Sequence, residues 1–182
     1  SSVLDLARGG AKAWDLFHQG FRAVGAIPSS VELSALQRIQ VEAARAGEAR
    51  IDRAAIADFL ERLVYPVHYL DFESYQVALP PHDGTRPWQQ IPFQYSLNVV
   101  DTPGAAPRAA AFLADGENDP RPALLESLRA SLAPAGSLVA YHDRFERQRL
   151  EEAAAAFPEH RGWIQALLPR FVDLLEPFSR VD

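Results

Sequence analysis

The apolar residues of this chain change their period at Val64-Tyr65-Pro66, and that change restricts its possible folds more than any other feature. Before it, Leu33, Leu36, Ile39 and Ala43 recur at helical spacing, followed by Ile56, Phe59, Leu60 and Leu63. After it, Val67-His68-Tyr69-Leu70-Asp71-Phe72-Glu73 is a short β-branched and aromatic run, the mark of a strand. The pattern divides the chain into an all-helical segment over 1–64 and a strand-bearing domain over 65–182.

In the first segment, helices are predicted over 11–17, 31–46 and 52–63. Ser29-Ser30 serve as caps for the second and Asp52 for the third, and Gly20 and Gly47 act as stops. In the second, strands are predicted over 67–73, 93–101, 109–113, 137–141 and 171–175. Four prolines and Gly84 make 80–92 a long loop. Leucines at helical spacing predict a helix over 119–132, and further helices are expected over 144–157 and 160–168. The resulting β-β-β-α-β-α-β order, with an extra helix before the last strand, is an α/β arrangement.

With no cysteine, disulfides, thiolate metal sites and thiol catalysis are excluded, so any metal must be held by oxygen or imidazole. No apolar run approaches the ~18 residues of a membrane span. The first residues lack the basic flank and apolar stretch of a signal peptide, and a cytoplasmic location fits best. The chain has no methionine, and no stop signal follows 179–182, so both ends are expected to be cuts from a longer protein. A net charge of −6 argues against a protein that coats nucleic acid electrostatically. It is compatible with a carboxylate cluster neutralised by its own cations.

Strand alternation puts Tyr69, Asp71 and Glu73 on one face, with His68, Leu70 and Phe72 on the other. Two carboxylates on one face near a strand end can share a divalent cation. An exposed strand end is the plain alternative. His68 faces away from the acids and reads as a packed histidine. Glu146, on the first turn of the helix from Arg144, lies in line with Leu150, Ala153, Ala154 and Phe157, a buried stripe. Asp143 and Glu146 also have the spacing of a reciprocal helix cap, which leaves two readings of equal weight. Asp173 sits among Phe171, Val172, Leu174 and Leu175, where a structural hydrogen-bonding role and a catalytic one are both open. Arg144, Arg147 and Arg149 read as a solvated helix face, and Trp88, Phe93 and Tyr95 as core or loop anchors.

These residues resemble the motifs of the DEDD-type 3′–5′ exonuclease superfamily, which has a ribonuclease H-like fold. Asp71-Phe72-Glu73 matches its first motif, Asp-x-Glu. His142-Asp143-Arg144-Phe145-Glu146 corresponds to the second, Asn-x-x-Phe-Asp, with His for Asn and Glu for Asp. Over about 60–182 the chain more closely resembles an uncharacterised bacterial domain family of unknown function assigned to that fold. The likeness rests on runs such as Gln89-Gln90-Ile91-Pro92-Phe93-Gln94-Tyr95-Ser96 and Val172-Asp173-Leu174-Leu175.

The resemblance implies a ribonuclease H-like mixed sheet, truncated at its C-terminus and preceded by the helical segment. In the longer protein it implies an upstream region like RecB-type nucleases. It also implies phosphodiester hydrolysis in nucleic acid, DNA or RNA, by two Mg²⁺ or Mn²⁺ ions held by Asp71, Glu73 and Glu146. His142, Asp143 and Asp173 would be supporting residues. The third motif of the superfamily, with its general base and fourth carboxylate, has no counterpart after Asp173, so these 182 residues alone are expected to be nearly inactive. The rival expectation is a catalytically degenerate module of the same fold that binds nucleic acid or a partner protein.

Overall fold

The computed structural model describes residues 1–179, which fall into two compact units, Ser1–Ile56 and Ala57–Phe178. The first is helical. Helices α1 (Gly10–His18) and α2 (Ala35–Ala46), with short 3-10 turns at Val3–Asp5 and Val24–Ala26, enclose a core of Val3, Leu6, Ala13, Leu16, Val24, Ile27 and Val41. Helix α2 starts four residues later than the sequence pattern suggests. Ser34, not Ser29 or Ser30, caps it: the Ser34 hydroxyl accepts from the Gln37 N–H, and the Gln37 side chain accepts from the Ser34 N–H. This reciprocal cap satisfies two orphan donors at once, which a lone serine upstream cannot do. The unit boundary falls inside helix α3 (Arg53–Glu61), whose start is capped by Asp52.

The second unit is built on a five-stranded mixed sheet. Its strands are β1 (Val67–Tyr75), β2 (Ile91–Val100), β3 (Arg108–Leu113), β4 (Leu138–Ala140) and β5 (Phe171–Asp173), in the order β3-β2-β1-β4-β5. The first three form an antiparallel meander, and β4 and β5 add in parallel. Helix α4 (Pro120–Ser131), capped by Asp119, leads into β4. Helices α5 (Arg144–Ala156) and α6 (Arg161–Leu167) lead into β5, and α7 (Glu176–Ser179) follows.

The largest cluster of buried side chains lies on one side of the sheet, that of Leu70 and Phe72. The register sets Leu70 beside Leu97 and Ala110, and Phe72 beside Tyr95 and Phe112. Against them pack Leu124, Leu125 and Leu128 of α4, Leu150 and Ala153 of α5, and Ile164 and Leu167 of α6. His68 is fully buried here, as its alternation predicts. Its Nδ1 lies 3.1 Å from the Ser137 carbonyl, and its Nε2 accepts from the Ala133 N–H at 3.1 Å. Those two contacts tie β1 to the turn before β4. The turn passes so close to β1 that only glycine fits at Gly136: its φ is +93°, and an added Cβ would stand 1.9 Å from the Pro66 oxygen. The other side of the meander is open over most of its length among the described residues, although Val67 at the start of β1 is buried there. Tyr69, Asp71 and Glu73 of β1, Ser96 and Asn98 of β2, and Ala109, Ala111 and Leu113 of β3 are all exposed there. No helix among the described residues is long and apolar enough to cross a membrane.

Candidate active site

Asp71, Glu73, Asp143 and Asp173 lie at or just after the ends of the parallel strands, the part of an open α/β sheet where ligands bind. Asp71 and Glu73 stand on the open face, exposed, with Asp71 beside Ser96 and Glu73 beside Gln94. Strand β4 is only three residues long and pairs with β1 at His68 and Tyr69 alone. From Leu70 onward, that edge of β1 has no strand neighbour among the described residues.

Glu146 belongs to the buried stripe of α5, with Leu150, Ala153 and Ala154, and is only 4% exposed. Burial pushes its carboxyl above the ordinary carboxylate range, and the charges of Asp71 and Asp143 push it the same way. The N–H groups of Glu146 itself and of Phe72 on β1 act in the opposite sense, which sets the carboxyl against the unpaired stretch of strand. Its Oε2 is buried without a hydrogen-bond partner. Asp143 makes no side-chain cap bond to the helix it precedes, so the reciprocal cap allowed by the sequence is not formed. Burial raises the Asp143 carboxyl too, reinforced by Asp173 and opposed by Arg147, whose Nη1 lies 3.6 Å away, and by His142.

Asp173, at the end of β5, is bound by two backbone donors. Its Oδ1 accepts from the His142 N–H at 2.7 Å and from the Leu175 N–H at 2.9 Å. The structural alternative for this residue is therefore realised. His142 is exposed, with a left-handed φ of +60°. Among the described residues, no group of three or more His, Asp or Glu side chains is gathered so as to hold a metal ion. Asp71 and Asp143 are near enough for their charges to act on Glu146. Glu73 shares the exposed face of Asp71.

Two residues behave differently from their sequence patterns, and a third makes a contact without one. Arg149 is buried rather than solvated; it bonds Gln90 and Glu152, the latter at 2.9 Å. Its place on the stripe of Glu146, Leu150 and Ala153 is the signal that would have shown this. Trp88 is 64% exposed rather than packed, and anchors the β1–β2 loop only through its backbone N–H to Val77. His82, in the same loop, bonds the Tyr75 hydroxyl at 2.8 Å, and no local pattern announces that contact.

Fold and site together define an α/β domain with a carboxylate pair at the ends of its parallel strands. The chain belongs to the family described as a domain of unknown function, DUF2779, whose model matches residues 68–181. No curated protein and no solved structure matches it.

Proposed function

We propose that this domain is a metal-dependent nuclease that hydrolyses phosphodiester bonds in nucleic acid, with the ribonuclease H-like fold and 3′–5′ exonuclease character of the DEDD-type superfamily. The observation that carries the reading is the Glu146 carboxyl: buried, one oxygen unpartnered, with a second carboxylate close enough to raise its pKa. Such a group is costly unless something compensates it, and a hard divalent cation does so with the oxygen ligands present. The strand order supports the same reading. An antiparallel meander followed by two parallel strands, each reached through helices, is the arrangement that the superfamily resemblance implies.

Asp71 and Glu146 would hold Mg²⁺ or Mn²⁺, with Glu73 reaching in from the same face as Asp71. Magnesium is commonly held by one or two carboxylates plus substrate phosphate, which suits a site where no three side chains are gathered beforehand. When bound, the ions would supply an activated water and stabilise the leaving oxygen. The chain's own groups do the rest. Glu146 holds its proton more firmly than a free carboxylic acid and must release it when a cation binds. The Phe72 and Glu146 N–H groups then favour its anion. On the open face, Ser96, Asn98 and Gln94 offer hydrogen bonds that can position sugar and phosphate without reading sequence.

A catalytically degenerate module of this fold is the second reading. It is favoured by Glu146 standing where the superfamily has Asp, and by the lack of a ready three-carboxylate group. Degradation of labelled single- and double-stranded DNA and RNA by the full-length protein with Mn²⁺, beside Asp71→Ala, separates the two. Mn²⁺-dependent cleavage that Asp71→Ala abolishes supports the enzyme; equal activity in both proteins removes the assigned site. Binding without cleavage supports the module.

A further inference from the structure

We infer that Asp173 is the positioning residue for Glu146: its carboxylate fixes the left-handed corner at His142 from which α5 starts. In functional terms this rests on the carboxylate-site reading above; as an account of what holds α5 in place it does not.

The geometry is specific. Asp173 is the last residue of β5 and lies opposite Ala140, the last residue of β4. The ladder continues one step further, with the Leu174 N–H donating to the Ala140 carbonyl at 2.9 Å. There β4 must turn through Tyr141 and His142 into α5, and His142 does so at φ +60°. A side chain with a Cβ adopts that region only where its surroundings over-determine it. Here the agent is Asp173: a single oxygen, Oδ1, takes the His142 N–H at 2.7 Å and the Leu175 N–H at 2.9 Å. One carboxylate thus closes the corner after β4 and the corner after β5 together.

What hangs from that corner is the first turn of α5. Asp143 gives α5 no side-chain cap. Glu146 lies four residues after His142, and its carboxyl reaches the unpaired edge of β1 only if the corner holds. Asp173 itself is already engaged by two backbone donors, which suits a residue that sets geometry rather than one that meets substrate. It acts on Glu146 through His142.

Hydrogen exchange resolved to single amides by NMR tests this in the full-length protein, without metal or nucleic acid. In Asp173→Ala the His142 and Leu175 amides should exchange about 10-fold faster or more, with the loss spreading into the first turn of α5. The Leu97 amide, in β2, should be unchanged. Asp173→Asn keeps an oxygen that can accept both bonds and should stay within about 3-fold of the parent. Adding His142→Gly to Asp173→Ala removes the cost of the left-handed corner and should restore protection to α5. An unchanged His142 amide in Asp173→Ala overturns the inference, as does Asp173→Asn behaving like the alanine variant. If the alanine protein does not fold, the asparagine variant decides alone: parent-like protection supports the role, and loss of protection overturns it. A parent that cleaves nothing defeats the nuclease reading and leaves the exchange result standing, so the two failures are distinct.

Discussion

The two faces of one sheet have separate duties here, and neighbouring residues of a single strand belong to opposite ones. On β1, Leu70 and Phe72 are buried beneath three helices, whereas Tyr69, Asp71 and Glu73 face water. The register carries the division across β2, where Leu97 is fully buried and its neighbours Ser96 and Asn98 are exposed. One face determines whether the chain folds. The other is exposed from Tyr69 onward on β1 and can carry acids for chemistry. Glu146 crosses the division: it projects from the packed side yet answers electrostatically to Asp71 on the open side.

Paired substitutions test the division most severely. Leu97→Ala should lose about 2–5 kcal/mol in denaturant unfolding, as buried leucine truncations do, while Ser96→Ala should stay within about 0.5 kcal/mol. Similar losses at both positions would break the comparison.

His68 gives the next largest effect. Replacing it with leucine strands the Ala133 N–H, while the Ser137 carbonyl keeps the backbone N–H of residue 68, and should cost about 1–3 kcal/mol. Its pKa is lowered in the fold, chiefly by burial, with Arg170 and Arg108 adding to the effect. Above the ordinary histidine value of 6.5 both folded and unfolded states are neutral, and the group contributes no pH dependence. As pH falls below 6.5 the unfolded chain takes up a proton first, so stability is lost until the folded pKa is passed. The slope of unfolding free energy between pH 7 and pH 5 should flatten in His68→Leu.

Glu146 has the opposite sign. Its pKa is raised in the fold, so the folded state holds the proton more tightly. Its contribution is fully present below the ordinary value of 4.5 and is lost as pH rises through the folded pKa. At neutral pH, Glu146→Gln should therefore be neutral or stabilising, by no more than about 1 kcal/mol. The same substitution should remove Mn²⁺-dependent cleavage in the full-length protein. Calorimetry alongside activity checks both, and a strongly destabilised Glu146→Gln would show that the carboxylate is structural.

The smallest effect belongs to Asp71→Ala, exposed on the open face. Its unfolding free energy should move by less than about 0.5 kcal/mol while cleavage is lost.

Much of this division was legible in the sequence. Period-two alternation through Tyr69–Glu73 separates acids from apolar residues without any knowledge of β2. The helical stripe of Leu150 and Ala153 likewise includes Glu146. Boundaries were less legible because they depend on which cap wins: Ser34 prevails over Ser29 and Ser30 through its exchange with Gln37, and β4 stops at Ala140 where Asp173 takes over the backbone. Least legible were contacts made only in the folded chain. The Asp173 bond to His142 spans 31 residues, and the Arg149 bond to Gln90 spans 59. Local patterns do not encode partners at that separation. The influence of the Asp71 charge on Glu146, 75 positions away along the chain, is of the same kind.

The shortness of β4 has a consequence for the molecule in concentrated solution. Past Tyr69, β1 keeps a run of edge that no other strand occupies among the described residues; the Glu146 carboxyl meets its Phe72 N–H, and a strand edge left without a strand partner is a template on which a second copy can pair. Like charge is what stands guard there: Asp71 and Glu73 on one molecule would meet the same acids on another. Neutralising both by substitution, Asp71→Asn with Glu73→Gln, removes that repulsion and should raise self-association in sedimentation at high concentration.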